Sequence, residues 1–567
     1  MPYKAPVSDL DFILKNVVGF DRVTSTDRFA EATPDVVEAM LTEAGKLCEE
    51  VLAPLNRAGD LHPAHLENGV VRTSPGFGDG YRAIAEAGFI SISAPEEYGG
   101  MGLPHTITTA VNEMMGSACL SLELNPLMTQ GQIEALEHHA SDELKDLYLP
   151  KLISGEWCGT MNLTEPQAGS DVGALTSKAV PNGDGSYAIT GQKIYISWGD
   201  NDFSDNVIHL VLARLPDAPK GVKGISLFLV PKKLPDANGN TGVMNALKVV
   251  SLEHKMGLHG SPTCVMQYDG ATGWMVGEPH AGMAAMFTMM NNARLGVGVQ
   301  GVSIAEAAYQ QAVAYANDRK QGRSVVEGGT GTILDHADVR RMLTGMKAET
   351  FAARALAMDL AVSIDLATTG DTAAKAKAAF LTPICKSFGT DTGIAIANEG
   401  IQVHGGMGFI EETGAAQFLR DGRVTAIYEG TNGIQAMDLV GRKLMDGGAA
   451  AFAMLDEVDA VAAEAGGIEG EALAADAKAL REATERMVSL ELNDRFAGAV
   501  PFQRAFALVL GGMYHLRASL ASGREGLRAN LARAYLTRSM AAVPGLLAEA
   551  RRGSDDLYTL TAEDFVA

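Results

Sequence analysis

Four short segments of the chain carry residue types that can do chemistry. Leu163-Thr164-Glu165-Pro166-Gln167-Ala168-Gly169-Ser170-Asp171 packs hydroxyls, acids and small residues into a tight loop. Such a loop can offer backbone N–H groups and hydroxyls to a polar heterocycle or a phosphate, or it can be a structural turn. Lys193-Ile194-Tyr195-Ile196-Ser197-Trp198 reads as a strand with aromatics and a hydroxyl, which simple core-and-surface alternation would also produce. Ile401-Gln402-Val403-His404-Gly405-Gly406-Met407-Gly408-Phe409 concentrates glycines. They either end a helix or let a ligand or another chain come close to the backbone. In Ile427-Tyr428-Glu429-Gly430-Thr431-Asn432-Gly433-Ile434-Gln435, Glu429 stands between an apolar run and a turn leading into a helix. A carboxylate there is either a helix-start residue or a desolvated general base.

Other chemistries are disfavoured. HExxH, GxSxG and GxxxxGK[ST] do not occur. Gly296-Val297-Gly298-Val299-Gln300-Gly301 fits GxGxxG, but it lies inside a long helical stretch with no strand before it, so it reads as a chance match rather than a dinucleotide site. The five cysteines are scattered and form no CxxC pair, which argues against a cysteine zinc site and a disulfide framework. No metal site is expected, and the expected compartment is the reducing cytoplasm. Lys and Arg number 46 against 69 Asp and Glu, a net charge of −23. That balance argues against bulk nucleic-acid binding and docking on anionic lipid. The N-terminus lacks the apolar core of a secretory signal, and no stretch is long and apolar enough for a membrane span.

The elements that would position these segments follow from periodicity. With 567 residues, 47% of them hydrophobic, several domains with sizeable cores are expected. Residues 1–155 read as mostly helical, with amphipathic stretches at 34–53, 76–88, 104–119 and 130–138. Residues 156–280 carry short β-rich runs such as 206–215 and 224–231 without helices between them, which predicts a small antiparallel sandwich or barrel. Residues 281–445 return to helices, at 281–318, 335–363, 373–397 and 430–445. Residues 446–450 read as a linker, and 446–567, with 12 basic and 18 acidic residues, as an appended helical bundle. The expected fold is mainly α with a central β domain.

On that α–β–α background the four segments, in this order, resemble signatures of the flavin-dependent acyl-CoA dehydrogenase family. The resemblance covers about residues 35–445. The extra C-terminal helices and the N-terminal MPYKAPVSDLDFIL resemble its larger bacterial members, which act on straight-chain acyl-CoAs and on 3-methylthiopropionyl-CoA. The resemblance implies that Glu429 removes the α-proton of an acyl-CoA thioester while hydride leaves the β-carbon for flavin N5. The thioester oxygen would accept hydrogen bonds from the glutamate N–H and a flavin hydroxyl. It further implies FAD contacts by Thr164, Tyr195 (often Trp in relatives), Ser197 (often Thr), Arg319 across a subunit boundary, His336, Gln402, Gly406 and Thr431. Substrate contacts would come from Ser170, Asn291, Arg294 and Gly430. Glu165 is the carboxylate to examine next if Glu429 is not the base.

The chain departs from the family pattern in places. Arg319-Lys320-Gln321-Gly322 lacks the usual aromatic, Ser324–Thr332 is longer than in small members, and Ala337 after His336 replaces a glutamine. Asn291 stands where the family has aspartate. The implied partners are an acyl-CoA, an electron-transferring flavoprotein and further copies of the chain, as a homodimer or dimer of dimers. The alternatives are an acyl-CoA oxidase returning electrons to O2 and a DNA-binding flavoprotein of the same fold, the latter opposed by the acidic C-terminal region.

Overall fold

The computed structural model describes residues 3–566. The chain divides into two compact units, residues 39–293 and residues 3–38 together with 294–566.

In the unit of residues 39–293 the longest complete helix is α1 (His105–His139), buried along nearly its whole length. Periodicity predicts two separate helices here. They form one element broken at Cys119 (φ −157°, ψ 87°), with Pro126 inside it. The buried middle shows no polar face, so no amphipathic period marks it.

The sheet is seven-stranded. Its strands are β1 (Trp157–Asn162), β2 (Lys178–Pro181), β3 (Tyr187–Ser197), β4 (Asn206–Ala213), β5 (Ser226–Pro231), β6 (Leu247–Leu252) and β7 (Thr263–Val276). They run in the order β1-β4-β5-β7-β3-β2, with β6 on β7. All neighbours are antiparallel except β1 and β4, which run parallel. A parallel pair needs a long crossover, and the β2–β3 segment between them supplies one. The runs NVIHLVLA and SLFLVP are buried at every position, as expected of strands covered on both faces. α1 is strapped to β1 by Gly159 N–H donating to Thr129 Oγ1 at 3.0 Å.

β3 carries a bulge. Cys264 and Met266 of β7 pair with Ile196 and Lys193, so β3 carries one extra residue between them. Tyr195 falls in that bulge with φ 60° and is 61% exposed. Bulges re-aim side chains in this way.

The second unit is helical: most of α2 (Gly282–Asp318), α3 (Ala337–Thr368), α4 (Thr372–His404), α5 (Asn432–Asp438), and the C-terminal helices around α6 (Ala499–Ala521). α2 and α4 cross through glycines. A Cβ on Gly301 would lie 2.1 Å from Gly389 O, and one on Gly389 would lie 2.2 Å from Gly298 O. The GxGxxG run is therefore a helix-packing surface.

α6 is buried along most of its length, and several of its polar residues bond inward. Gln503 Nε2 donates to Pro383 O of α4 at 3.0 Å, and Tyr514 donates to Asp359 Oδ2 of α3 at 2.7 Å. The N-terminal helix Val7–Asn16 joins the same unit. Asp9 accepts from Arg528 at 2.7 Å, and Arg354, buried in α3, pairs with Glu306 at 2.6 Å. Among the described residues no helix is long and apolar enough to cross a membrane, and no group of three His, Cys, Asp or Glu could hold a metal.

Candidate active site

Glu429 is the centre of the second unit's polar chemistry. It sits on the turn before α5 with φ 56°, in the left-handed region, and Gly430 follows at φ 85°. A non-glycine residue held there costs on the order of 1–3 kcal/mol, and such strain concentrates at functional sites. The turn is fixed from several sides. Tyr428 OH donates to Gln300 Oε1 of α2. Gln435 Nε2 donates to Glu429 O at 3.0 Å. Thr431 caps α5, its Oγ1 accepting from Ile434 N–H at 3.4 Å. Asn432 donates to Thr390 Oγ1 at 3.0 Å and to Asp391 Oδ1 at 2.7 Å, and accepts from Lys386 Nζ at 2.8 Å.

Everything around Glu429 is tied down, while Glu429 keeps its own reactive groups free. Among the described residues neither its carboxylate nor its backbone N–H has a protein hydrogen-bond partner. Burial pushes its carboxyl up from 4.5 to about 7, against the pull of Arg294 and Lys386. The result is one residue with a basic carboxylate and an unspent N–H donor. Arg294 is half-buried, and its Nε is buried without a partner. A guanidinium in that state fits an anionic or carbonyl group of a ligand.

The unit of residues 39–293 holds a second cluster. Lys193, fully buried in β3, pairs with Glu165 at 2.8 Å and donates to Leu163 O at 3.0 Å. Ile194 N–H donates to Thr164 O at 2.9 Å. The loop that carries Thr164 is thus stitched to the bulged strand that carries Tyr195 and Ser197. The half-buried hydroxyls of Thr164 and Ser197 have no protein partner among the described residues. Two unspent hydroxyls and an out-turned aromatic ring on one loop and its strand are groups that suit the polar edge and flat face of a flavin.

Glu165 is not available as an alternative base. Besides Lys193 it accepts from Thr176 N–H and Oγ1 at 2.7 and 3.0 Å, and from Ser177 N–H and Oγ at 3.1 and 2.6 Å. Burial opposes its ionisation, but Lys193 and these donors hold the carboxyl well below the usual range. It is a structural anchor.

The other residues singled out from sequence fall as follows. Ser170 is exposed on the Thr164 loop, and Asn291 is exposed on α2. Asn292, its neighbour, turns inward to Glu134 at 2.8 Å. Arg319 is exposed at the end of α2 and contacts Gln321 at 3.3 Å. His336, the N-cap of α3, meets Gln321 O at 2.7 Å, so Arg319 and His336 share one loop. The long segment before His336 is folded onto Asp335, which accepts from Thr330 and Gly331 N–H. Gln402 and Gly406 are exposed at the end of α4, with no atom within 4 Å of a Cβ on Gly406. His404 between them is stacked on Tyr315 of α2, centroids 4.4 Å apart.

Sequence reasoning missed Lys386, Gln300, Gln435 and the role of Lys193. A lone lysine in the apolar run Pro383-Ile384-Cys385-Lys386-Ser387-Phe388 was the one legible signal. The others are ordinary glutamines or strand residues until the fold places them.

Helices, then a seven-stranded sheet, then helices along the chain, with a free carboxylate on a strained turn, define the class: an acyl-CoA dehydrogenase fold. The sequence patterns of the acyl-CoA dehydrogenase N-terminal, middle and C-terminal domains match residues 35–156, 160–271 and 280–445. The chain belongs to this family of FAD-dependent oxidoreductases, which act on the CH–CH bond of acyl-CoA thioesters.

It is 46% identical over 555 residues to 3-methylmercaptopropionyl-CoA dehydrogenase of Ruegeria pomeroyi, covering 95% of this chain and 92% of that protein. It is 36% identical over 462 residues to a butyryl-CoA dehydrogenase of Syntrophomonas wolfei, 78% of this chain and 75% of that one. In fold it is similar to the Caenorhabditis elegans protein ACDH-11 in complex with C11-CoA, with a TM-score of 0.77, 22% identity, and 94% and 91% of the two chains covered.

Proposed function

We propose that the protein dehydrogenates an acyl-CoA thioester between its α and β carbons, with Glu429 as the base, giving the trans-2-enoyl-CoA. The observation that carries this is the pairing in Glu429 of an unpartnered, desolvated carboxylate with an unpartnered backbone N–H. The carboxylate takes the α-proton. The N–H donates to the thioester oxygen, where negative charge develops as the proton leaves. Arg294 and Lys386, both positive, favour the ionised base before the proton arrives. FAD would supply the acceptor for the hydride that leaves the β-carbon. Thr164, Tyr195 and Ser197 would hold its ring, and Arg319, His336, Gln402, Gly406 and Thr431 its remainder.

The substrate we favour is 3-methylthiopropionyl-CoA, supported by similarity along nearly the whole chain to the Ruegeria enzyme. The thioether takes the place of one methylene of a short straight chain, so the α and β positions are those of any saturated acyl group. The electron acceptor we favour is an electron-transferring flavoprotein. A panel of acyl-CoAs from C3 to C18 plus 3-methylthiopropionyl-CoA, added anaerobically to the FAD enzyme, tests the reading. The flavin absorbance should bleach, fastest with the short thioether substrate. No bleaching with any member of the panel would overturn it. Peroxide production in air, rather than reduction of the partner flavoprotein, would point to O2 as acceptor.

A further inference from the structure

Lys386 is completely buried in α4. Among the described residues its ammonium, with three donors, makes one hydrogen bond, to Asn432 Oδ1 at 2.8 Å, and no ion pair within 4.0 Å. An ammonium in such a place is costly to keep charged unless an opposite charge lies near. The groups that face it are Glu429 from the turn before α5, Asp391 from its own helix and Arg294 from α2. Arg294 opposes its charge. Asp391 is occupied by Asn432 and is also faced by Arg504 and Arg423. Glu429 is left as the counter-charge with no partner of its own. Asn432, the residue that Lys386 grips, is three positions after Glu429 and also bonds Thr390 and Asp391 of α4.

We propose that Lys386 is a positioning residue for the base: its ammonium clamps Asn432, and with it the Glu429–Thr431 turn, and adds to Arg294 a second positive charge that favours ionised Glu429 in a dry site. The inference rests on the reading of Glu429 as the base. It assigns a role in the reaction to a side chain with no exposed surface of its own. Burial pushes Lys386 down to about 8 while Glu429 pulls the other way, so the two groups support each other's charged forms.

The test is the pH dependence of flavin reduction by 3-methylthiopropionyl-CoA, followed by anaerobic rapid mixing with the FAD enzyme. Lys386→Met suits the buried position, Lys386→Gln keeps a donor for Asn432, and Lys386→Arg keeps the charge. An opposite charge at close range moves a carboxyl by about 1–3 units. The acid limb should therefore shift upward by at least about one unit in the Met and Gln variants, a roughly tenfold loss of rate below it. Lys386→Arg should return the limb to its wild-type position. The shift is required in whichever neutral variant binds FAD, and in both if both do. An unmoved limb, whatever the drop in rate, would make Lys386 a structural residue and overturn the proposal. Glu429→Gln measured alongside separates the two readings. Normal reduction in that variant would remove the base itself, whereas an inactive Glu429→Gln with an unmoved Lys386→Gln limb would remove only this inference.

Discussion

Among the described residues nothing satisfies the Glu429 carboxylate, which is what fits it to the proposed role of base. A helix-start glutamate would use its carboxylate on the N–H groups of the first turn. Here Thr431 takes that duty for α5, and the carboxylate stays free. Glu429→Gln should bind FAD and acyl-CoA nearly normally, yet reduce flavin at least roughly 10²- to 10⁴-fold more slowly. Stopped-flow bleaching reads this directly, and a near-normal rate would sink the assignment. A carboxylate base works only when ionised, so with Glu429 in the proposed role the reduction rate at subsaturating substrate should rise as pH increases through about 7. Stability runs the opposite way. The folded carboxyl holds its proton more tightly than the unfolded chain, whose value is near 4.5. Its contribution is full below that pH and is lost as pH rises through about 7. Glu429→Gln should flatten both profiles between pH 4.5 and 7.

At the scale of elements, the turn depends on how closely α2 and α4 approach. Gln300 reaches Tyr428 from α2, and Lys386 reaches Asn432 from α4. Both contacts require the glycine-lined crossing at Gly298, Gly301 and Gly389. Gly389→Ala would place a methyl 2.2 Å from Gly298 O and must push the helices apart. We expect about 1–3 kcal/mol of destabilisation in chemical denaturation. Flavin reduction should slow as well, because both tethers lengthen. A variant as stable and as fast as the wild type would show that the crossing has no bearing on the site. On the sheet side the β3 bulge plays the corresponding part, since strict alternation would not leave Tyr195 so exposed.

At the scale of the whole molecule, the proposed phosphate contact is exposed. Among the described residues the Arg319 guanidinium bonds the nearby Gln321, and Phe409, at the end of the glycine loop, is 88% exposed. The resemblance to the family has this arginine serving a neighbouring copy's FAD. The FAD-loaded protein should then sediment as a dimer or larger. Arg319→Ala should weaken FAD retention by about 1.5–3 kcal/mol, the worth of a charge-assisted hydrogen bond. A monomer that keeps its FAD in analytical ultracentrifugation would contradict this. α6 places Gln503 against the carbonyl of Pro383, one turn before Lys386. With a net charge of −23 the protein should also pass through heparin unretained at low salt.

The sequence by itself determined the class of fold and the chemistry to look for. Runs such as NVIHLVLA and SLFLVP are strands because a continuous apolar stretch of that length has to be covered on both faces. The order of the loops around Thr164, Tyr195, Gln402 and Glu429 was enough to indicate a flavin-dependent acyl-CoA dehydrogenase. Periodicity did not join the two halves of α1, because a helix buried all round has no polar face to betray its phase. It did not foresee the parallel pairing of β1 with β4, which is a property of the whole sheet. Only the tertiary structure showed that Glu165 is consumed by Lys193, Thr176 and Ser177 while Glu429 is left unpartnered. Both are glutamates beside polar turns, and what separates them is which donors the fold brings within 3 Å. The same holds for Lys386: one lysine in an apolar helix has no meaning until Asn432 and Glu429, more than forty residues further along, are folded against it.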